Sequence, residues 1–410
     1  MKFLHAADIH LDSPLAGLTR KGGVPVHVTQ DCTRRAFANL IDLAIAQDVA
    51  FLLIAGDLYD GDWRDFSTGL FFNEQMRRLR RPCIIVRGNH DAASVITSKL
   101  TQPDNVVVMS TRKVDRWVSE ELGVAVHGRS FPDRHIPEDF SDTYPGPEAG
   151  KLSIAMLHTS ADDPGTHEVY APCRAEALAG KGYDYWALGH IHDRRILHER
   201  PWVVFPGNIQ GRHARETGAK GASLVEVQDG RIVNVAHHAT DVLRWAQIVV
   251  RLDDAQSMTD AATRLRFAFE EYAGRTEGRP LIARVILSGA TDLHAACAAD
   301  PATIEAECRN AAESTQAEIF IEKLQLQTRM IADAASFSGT ELAEAFASGL
   351  SDTDLVARLL GDFKKLRQDL PFLPGGERTA VVPESPEALQ ALLGESWHLA
   401  EQFLRPGETA

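Results

Sequence analysis

No two cysteines form a C-x-x-C pair anywhere in this chain, and its five cysteines (32, 83, 173, 297 and 308) are odd in number. That excludes a zinc ribbon of paired thiolates and argues for free thiols in a reducing compartment rather than a disulfide framework. No apolar run approaches the roughly 18–20 residues a membrane helix needs. The opening MKFLHAADIHLD meets Asp8 too early for the apolar core of a secretory signal. A cytoplasmic protein that does not engage a membrane is expected. A basic surplus is missing as well. Of the net charge of −14, residues 241–410 carry −11 (27 acidic, 16 basic side chains), which leaves −3 for residues 1–240. Nucleic-acid binders usually show a basic face, because phosphate contacts supply most non-specific affinity. The first part permits such a face without advertising one, and the acidic second part would have to turn away from DNA. Internal repeats and low-complexity tracts are absent too.

What is present is a 410-residue chain with 44% hydrophobic and 24% charged residues, enough for two or three domains with sizeable cores. Residues 1–240 alternate short apolar runs with helical patterns, which predicts an α/β fold. Strands are expected at 2–7, 51–57, 83–88, 105–109, 123–128, 152–158, 183–189, 202–207, 222–227 and 231–238. The last two are joined by the hairpin turn Asp229-Gly230. A helix at about 30–47 has Phe37, Leu40, Ile41, Ala44 and Ile45 on one stripe. The Pro-rich stretch 132–150 reads as an irregular excursion. Residues 241–330 follow a β-α-β-α-β order, with strands at 245–252, 281–289 and 318–327 and helices near 255–273 and 302–315. Residues 331–410 read as helices at 340–348, from Ser351 and after Ser385-Pro386, where an N-cap precedes a proline at the first helical position. Trp397 and Phe403 on the last helix read as ordinary packing.

Polar residues gather where the apolar strands end. ADIH places Asp8 and His10 two residues apart, and LGHIH does the same for His190 and His192, so each pair points to one side. AGDLYD supplies Asp57 and Asp60, RGNHD supplies Asn89, His90 and Asp91, and MLHTS supplies His158. Singly, each has a plain reading as a turn or a hydrogen-bonded histidine. Together, at the carboxyl ends of strands that converge on one crevice, they point to a metal site. Imidazole mixed with carboxylate and amide oxygen, without thiolate, suits Mn²⁺, Fe²⁺ or Zn²⁺ better than Mg²⁺ or Ca²⁺. The candidates exceed what one ion with open positions can use. Two ions about 3.5–4 Å apart would use them and act as a clamp for phosphoryl transfer.

The pattern Asp8-x-His10, Gly56-Asp57-x-x-Asp60, Gly88-Asn89-His90-Asp91, His158, Gly189-His190-x-His192 resembles the calcineurin-like metallophosphoesterase superfamily over residues 1–240. Within it, HAADIHLDSPL and FPGNIQGRHARETGAKG resemble the DNA-repair exonuclease branch of SbcD-like and YhaO-type proteins. The resemblance implies a four-layer αββα metallophosphoesterase sandwich (1–240), a small α/β capping domain (241–330) and a C-terminal helical region (331–410) placed to bind an ATPase. It implies Asp8, His10, Asp57 and His192 around one divalent ion, and Asp57, Asn89, His158 and His190 around another, with Mn²⁺ first and Fe²⁺ or Zn²⁺ as alternatives. His90 would protonate the leaving group or stabilise the phosphate, held by Asp60 with Asp91 as the competing partner, while hydroxide held on the ions attacks phosphorus.

The implied activity is exonuclease-type hydrolysis of DNA, the implied partners DNA and an SMC-like ATPase of the SbcC type, and the implied assembly a homodimer. Asp12 departs from the SbcD-type pattern, which often has Gly there. It would either repel DNA or cap the Asp-Ser-Pro turn. That departure and the charge asymmetry keep open a phosphoesterase of small phosphoesters or cyclic nucleotides. A non-catalytic scaffold subunit is a third reading, which the full ligand set disfavours. Arg212 and His213 either face phosphate or lie on a solvated loop. Arg87 could face DNA, as could the cationic run at 77–81, although the latter also suits the end of a helix.

Overall fold

The computed structural model describes residues 1–15, 24–60, 65–93, 101–162, 169–329, 344–349, 352–369, 383 and 385–404. Strands β1 (Lys2–Ala6), β2 (Leu52–Ala55), β3 (Cys83–Val86) and β4 (Val106–Val108) are parallel neighbours. Next in the chain come β5 (Asp115–Ser119), β6 (Val124–Gly128), β7 (Leu152–His158), β8 (Tyr185–Gly189), β9 (Arg195–Glu199) and β10 (Trp202–Phe205), then the hairpin β11 (Gly221–Gln228) and β12 (Arg231–Ala239). They form two mixed six-stranded sheets, ordered β12-β11-β1-β2-β3-β4 and β5-β6-β7-β8-β10-β9. The hairpin turns at Asp229-Gly230, both left-handed, as a type I′ turn requires.

Period-two alternation decides what each strand face buries. On β2, Leu52 and Ile54 pack with Phe37, Leu40 and Ile41 of the helix Cys32–Ala46 and with Phe72 and Met76 of the helix Phe66–Leu79. Leu53 and Ala55 face the other way, into a core shared with Val126, Ile154, Met156 and Tyr185 of the second sheet. Phe3 and Phe51 stack at 4.9 Å within that core. Burying a side chain of this size contributes about 1.5–3 kcal/mol, so the sandwich interior outweighs any surface ion pair here. The far side of the second sheet is covered by an irregular segment with a 3-10 turn at Phe140–Thr143 and by the short helix Ala175–Ala179.

Some expectations change. Ile45 is 45% exposed rather than part of the buried stripe. Strands β5 (DRWVS) and β9 (RILHE) were not anticipated, because both are edge strands that carry charges where a core strand would be apolar. The cationic run at 77–81 ends the helix Phe66–Leu79 on an exposed face, with Arg78 on Asp42 and Arg81 on Asp48.

Strands β13 (Arg244–Arg251), β14 (Leu281–Ala290) and β15 (Ile319–Arg329) form a small parallel sheet. The helices Met258–Ala273 and Pro301–Glu313 pack on one face around Ile248, Leu265, Phe269, Val285 and Ile304. Each starts at a side-chain cap, Ser257 Oγ accepting from Asp260 N at 3.2 Å and Asp300 Oδ1 from Thr303 N at 3.1 Å. On the opposite face Trp245, Ile282 and Phe320 meet Leu15, Val28, Ala214 and Leu243.

The chain divides into two compact units, Met1–Met330 and Ile331–Ala410. The second contains the helices Thr353–Asp369 and Pro386–Leu404, with further helical residues at 344–349. The side chains of Trp397 and Phe403, like residues 340–343 of the expected first helix, lie outside the described residues. Among the described residues, no helix is long and apolar enough to cross a membrane.

Candidate metal centre

The carboxyl ends of β1, β2 and β3 in one sheet, and of β7 and β8 in the other, open onto the same end of the sandwich and deliver the polar residues there. The backbone is forced locally: Asp8, His10, Asp57 and His190 all have positive φ (52°, 44°, 52° and 101°). Non-glycine residues adopt that region at a cost, and such positions cluster at functional sites. Gly56 and Gly88 are needed for space. A Cβ on Gly88 would strike the Asp57 carboxylate and the His158 ring, and one on Gly56 would strike His158.

Among the described residues, ligand atoms converge in three groups: Asp8, His10 and His192; Asp8, Asp57 and His158; and His10, Asp60 and His90. Asp57 Oδ2 lies 3.4 Å from His158 Nε2 and 3.9 Å from His10 Nε2, and Asp8 Oδ1 lies 3.9 Å from His192 Nε2. Asn89 Oδ1 is 3.0 Å from His158 Nε2. The His190 ring is 5.3 Å from that of His158, and its backbone N–H donates to both Asp8 oxygens at 3.0 Å.

Tautomers are set by the far side of each ring. His158 Nδ1–H donates to the Ala55 carbonyl at 3.0 Å, and His192 Nδ1–H donates to Glu216 Oε1 at 2.5 Å. Both rings therefore turn Nε2 inward, as metal-ligating histidines do. Both ring nitrogens of His10 are buried without a hydrogen-bond partner, which is costly unless a cation takes one of them. Burial alone would lower the His158 pKa, but the Asp57 and Asp8 carboxylates lift it to about 9. Burial would likewise raise Asp57, yet His158, His10 and His90 hold it well below the carboxylate range. The protein thus places a proton where a divalent ion would put more charge. Donor separations of 3–4 Å suit first-row ions with bonds of about 2.1 Å.

His90 is more open than the candidate ligand histidines, with its side chain 29% exposed. Its Nδ1–H donates to Asp60 Oδ1 at 2.9 Å, and its ring lies edge-on to His10 at 4.7 Å. The hydrogen bond from His90 draws the Asp60 pKa down to about 2, and Asp60 in turn raises that of His90 against the effect of burial. Asp91 is not the partner. It is buried and accepts the backbone N–H groups of Leu58, Tyr59 and Gly88, which ties together the two segments that carry Asp57 and Asn89.

Asp12 does not present a bare carboxylate. Arg34 grips it through Nε at 2.6 Å and a terminal nitrogen at 2.5 Å, and Thr68 Oγ1 donates to it as well. Arg212 is drawn into the site rather than solvated: its side chain is 14% exposed, with one terminal nitrogen donating to Ser13 Oγ at 3.0 Å and lying 3.8 Å from Asp60 Oδ2. His213 stays on the rim, 3.3 Å from Glu216 and 34% exposed. Arg87 is half-buried just after β3, where the chain leads into the site, with its backbone N–H on Ser130 Oγ. Glu216 was missed by sequence reasoning. It is 4% exposed and accepts from Asn208 Nδ2 at 3.0 Å and Arg212 N at 2.6 Å in addition to His192. One glutamate in a loop among cations carries no signal of its own.

Residues 1–194 match the family model for calcineurin-like phosphoesterases, and residues 245–329 match that for the middle domain of the metallophosphoesterase YhaO. The uncharacterized metallophosphoesterase YhaO of Bacillus subtilis (strain 168) is 34% identical over 296 residues, covering 70% of this chain and 72% of the relative. The chain belongs to the calcineurin-like metallophosphoesterases of the YhaO type. More distant is the DNA double-strand break repair protein Mre11 of Sulfurisphaera tokodaii, 24% identical over 307 residues, covering 70% of this chain and 73% of its own. Its namesake from Sulfolobus acidocaldarius is 27% identical over 206 residues, 48% of this chain and 50% of the relative.

Proposed function

We propose that the protein is a dimetal phosphodiesterase that hydrolyses DNA phosphodiester bonds, of the exonuclease type. The observation that carries the hydrolytic reading is the hydrogen-bonded, half-open His90–Asp60 pair beside a buried cluster of inward-turned donors. In this reading Asp8, His10, Asp57 and His192 hold one ion and Asp57, Asn89, His158 and His190 the other, with Mn²⁺ preferred and Asp57 between them. Asp8 lies in two of the three donor groups, so it would contribute to holding either ion. When bound, the ions supply a nucleophile near neutral pH and neutralise phosphoryl charge. His90 donates its Nε2 proton to the departing oxygen, and Asp60 keeps the ring oriented and charged. Arg212 adds a cation on the same side, through the Ser13–Asp60 contact.

DNA as substrate rests on the relatives named for double-strand break repair and on the neutralised Asp12. The acidic balance of residues 241–410 favours small phosphoesters as a second reading. The four-layer αββα arrangement, a capping role for 241–330 and an SMC-like ATPase on the C-terminal helices belong to the same proposal, as does homodimerisation. The test is Mn²⁺-dependent hydrolysis of double- and single-stranded DNA beside bis(p-nitrophenyl) phosphate, with His90→Ala as control. Cleavage of DNA that His90→Ala abolishes with metal still bound supports the proposal. Turnover of the small ester alone sinks the DNA assignment and leaves the hydrolytic centre.

A further inference from the structure

The loop 208–218 lies between the metal centre and the small parallel-sheet domain, and it bonds to both. Toward the centre, Glu216 accepts the Nδ1–H of His192 at 2.5 Å and is nearly fully buried. Toward the small domain, the loop is bonded at every turn. Gln210 Nε2 donates to the Leu243 carbonyl at 3.0 Å while its Oε1 accepts from Val242 N at 2.9 Å. Trp245 Nε1 donates to the Gly211 carbonyl at 2.9 Å, Gln247 Nε2 to the Ala214 carbonyl at 2.9 Å, and Gly218 N to the Trp245 carbonyl at 3.1 Å. Glu216 and Trp245 both close on Gly211: a Cβ there would press on the Glu216 carbonyl at 2.7 Å and on the Trp245 ring at 3.0 Å.

From this chain of contacts we infer that the 245–329 domain positions the metal ligand His192, with Glu216 as the positioning residue and Trp245 as the anchor of its loop. The inference rests on the dimetal reading above. Its physical basis is that a carboxylate on the far nitrogen of a ligating imidazole fixes its tautomer and direction, and losing such a partner typically costs 10–100-fold in metal affinity. Glu216 has little freedom to choose another position. Its oxygens are spent on His192, Asn208 and the Arg212 N–H, and the backbone around it is pinned from the other domain. Disturbing Trp245 or Gln247 therefore moves Glu216, and Glu216 moves His192. A domain that supplies none of the candidate ligands would in this way set the affinity of one ion and leave the other unchanged.

The experiment is calorimetric titration of the full-length, metal-stripped protein with Mn²⁺, comparing wild type with Glu216→Gln, Trp245→Phe, Gln247→Ala and, as a control on the same domain, Phe267→Ser, an exposed position. Circular dichroism checks that each variant folds. The expected result is two ions in every case, with one of them bound 10–100-fold more weakly in Glu216→Gln. The same ion should be several-fold weaker in Trp245→Phe and Gln247→Ala and unaltered in Phe267→Ser. Two ions bound by Glu216→Gln with wild-type affinity overturns the inference alone. A loss in Glu216→Gln with none in either Trp245→Phe or Gln247→Ala overturns the part played by the domain. Fewer than two ions in wild type overturns the dimetal reading, and the inference with it. If Glu216→Gln does not fold, equal affinities for both ions in wild type, Trp245→Phe and Gln247→Ala overturn it as well.

Discussion

Asp60, after β2, and His90, in the short helix Asn89–Ala93 that follows β3, meet through a 2.9 Å bond from His90 Nδ1–H to Asp60 Oδ1. The bond leaves Nε2 free to face a substrate and raises the ring's pKa against the effect of burial. His90→Ala is expected to lower kcat by about 10²–10⁴-fold, the usual worth of a positioned acid, with both ions retained. Asp60→Asn should have a smaller effect on kcat and a clearer one on pH. Asp60 raises the His90 pKa, so its neutral replacement lets His90 deprotonate sooner and moves the alkaline limb of the rate profile to lower pH. An alkaline limb that stays in place would remove His90 from the acid's role.

Gly88 has no room for a methyl group, because a Cβ there meets Asp57 and His158 together. Gly88→Ala should therefore lose metal before it loses fold. The expected outcome is near-complete loss of bound Mn²⁺ by elemental analysis, with a native circular dichroism spectrum. Full occupancy would mean that Asp57 and His158 can move apart without consequence for the centre.

The architecture and the cluster were legible to different degrees for identifiable reasons. Buried parallel strands such as β2 and β7 are apolar throughout and stand out, and the polar residues at their ends stand out by contrast. The β-α-β-α-β order of residues 244–329 was readable from the alternation of apolar strand runs with helical patterns. Edge strands β5 and β9 were hidden by the charges that keep edges from pairing. Which of Asp60 and Asp91 serves His90 was undecidable from spacing, since both stand close to it in sequence or by motif. The three backbone donors that occupy Asp91 exist only in the fold. Glu216 and Arg34 were illegible because each acts through a contact made across at least 20 residues of chain.

Asp12 and Arg34 form a pair whose side chains are 8% and 26% exposed, so removing one member strands the other with little water. Arg34→Ala should destabilise the protein by about 1–3 kcal/mol in urea unfolding. Adding Asp12→Ala should recover part of that loss, a coupling that a double-mutant cycle reads directly. Strict additivity would show that the carboxylate is solvated after all and stands open to the site entrance.

Metal removal should be felt in the fold as well as in the chemistry. Asp8 and Asp57 are both buried, and burial pushes the Asp8 pKa up because its charge lacks solvent. Ions that bind only the folded state add RT ln(1 + [L]/Kd), about 2.7 kcal/mol at a hundredfold excess over Kd. Thermal unfolding is expected several degrees lower in EDTA than in Mn²⁺, with a midpoint that rises with Mn²⁺ concentration. A midpoint independent of Mn²⁺ would mean that no ion discriminates the folded from the unfolded chain.

His5 gives a pH dependence that does not pass through the metal centre. The ring is fully buried between the sheets, where Nε2–H donates to the Leu188 carbonyl at 3.1 Å and Nδ1 accepts from the Tyr185 hydroxyl at 3.0 Å. Burial lowers its pKa from the ordinary 6.5 to about 3, only partly opposed by the Leu188 carbonyl. The folded protein therefore keeps His5 neutral, whereas the unfolded chain takes up a proton near pH 6.5. Stability from this residue is full above pH 6.5 and falls as the pH drops toward 3, by an amount on the order of 4 kcal/mol at the acid end. His5→Gln, whose amide can both donate and accept, should be somewhat less stable than wild type at pH 8. Between pH 6.5 and 4 its decline should be shallower. Urea unfolding in EDTA across that range isolates the effect from metal release. Parallel declines in wild type and His5→Gln would assign the acid sensitivity to other groups and leave the buried imidazole without the role that its two hydrogen bonds imply.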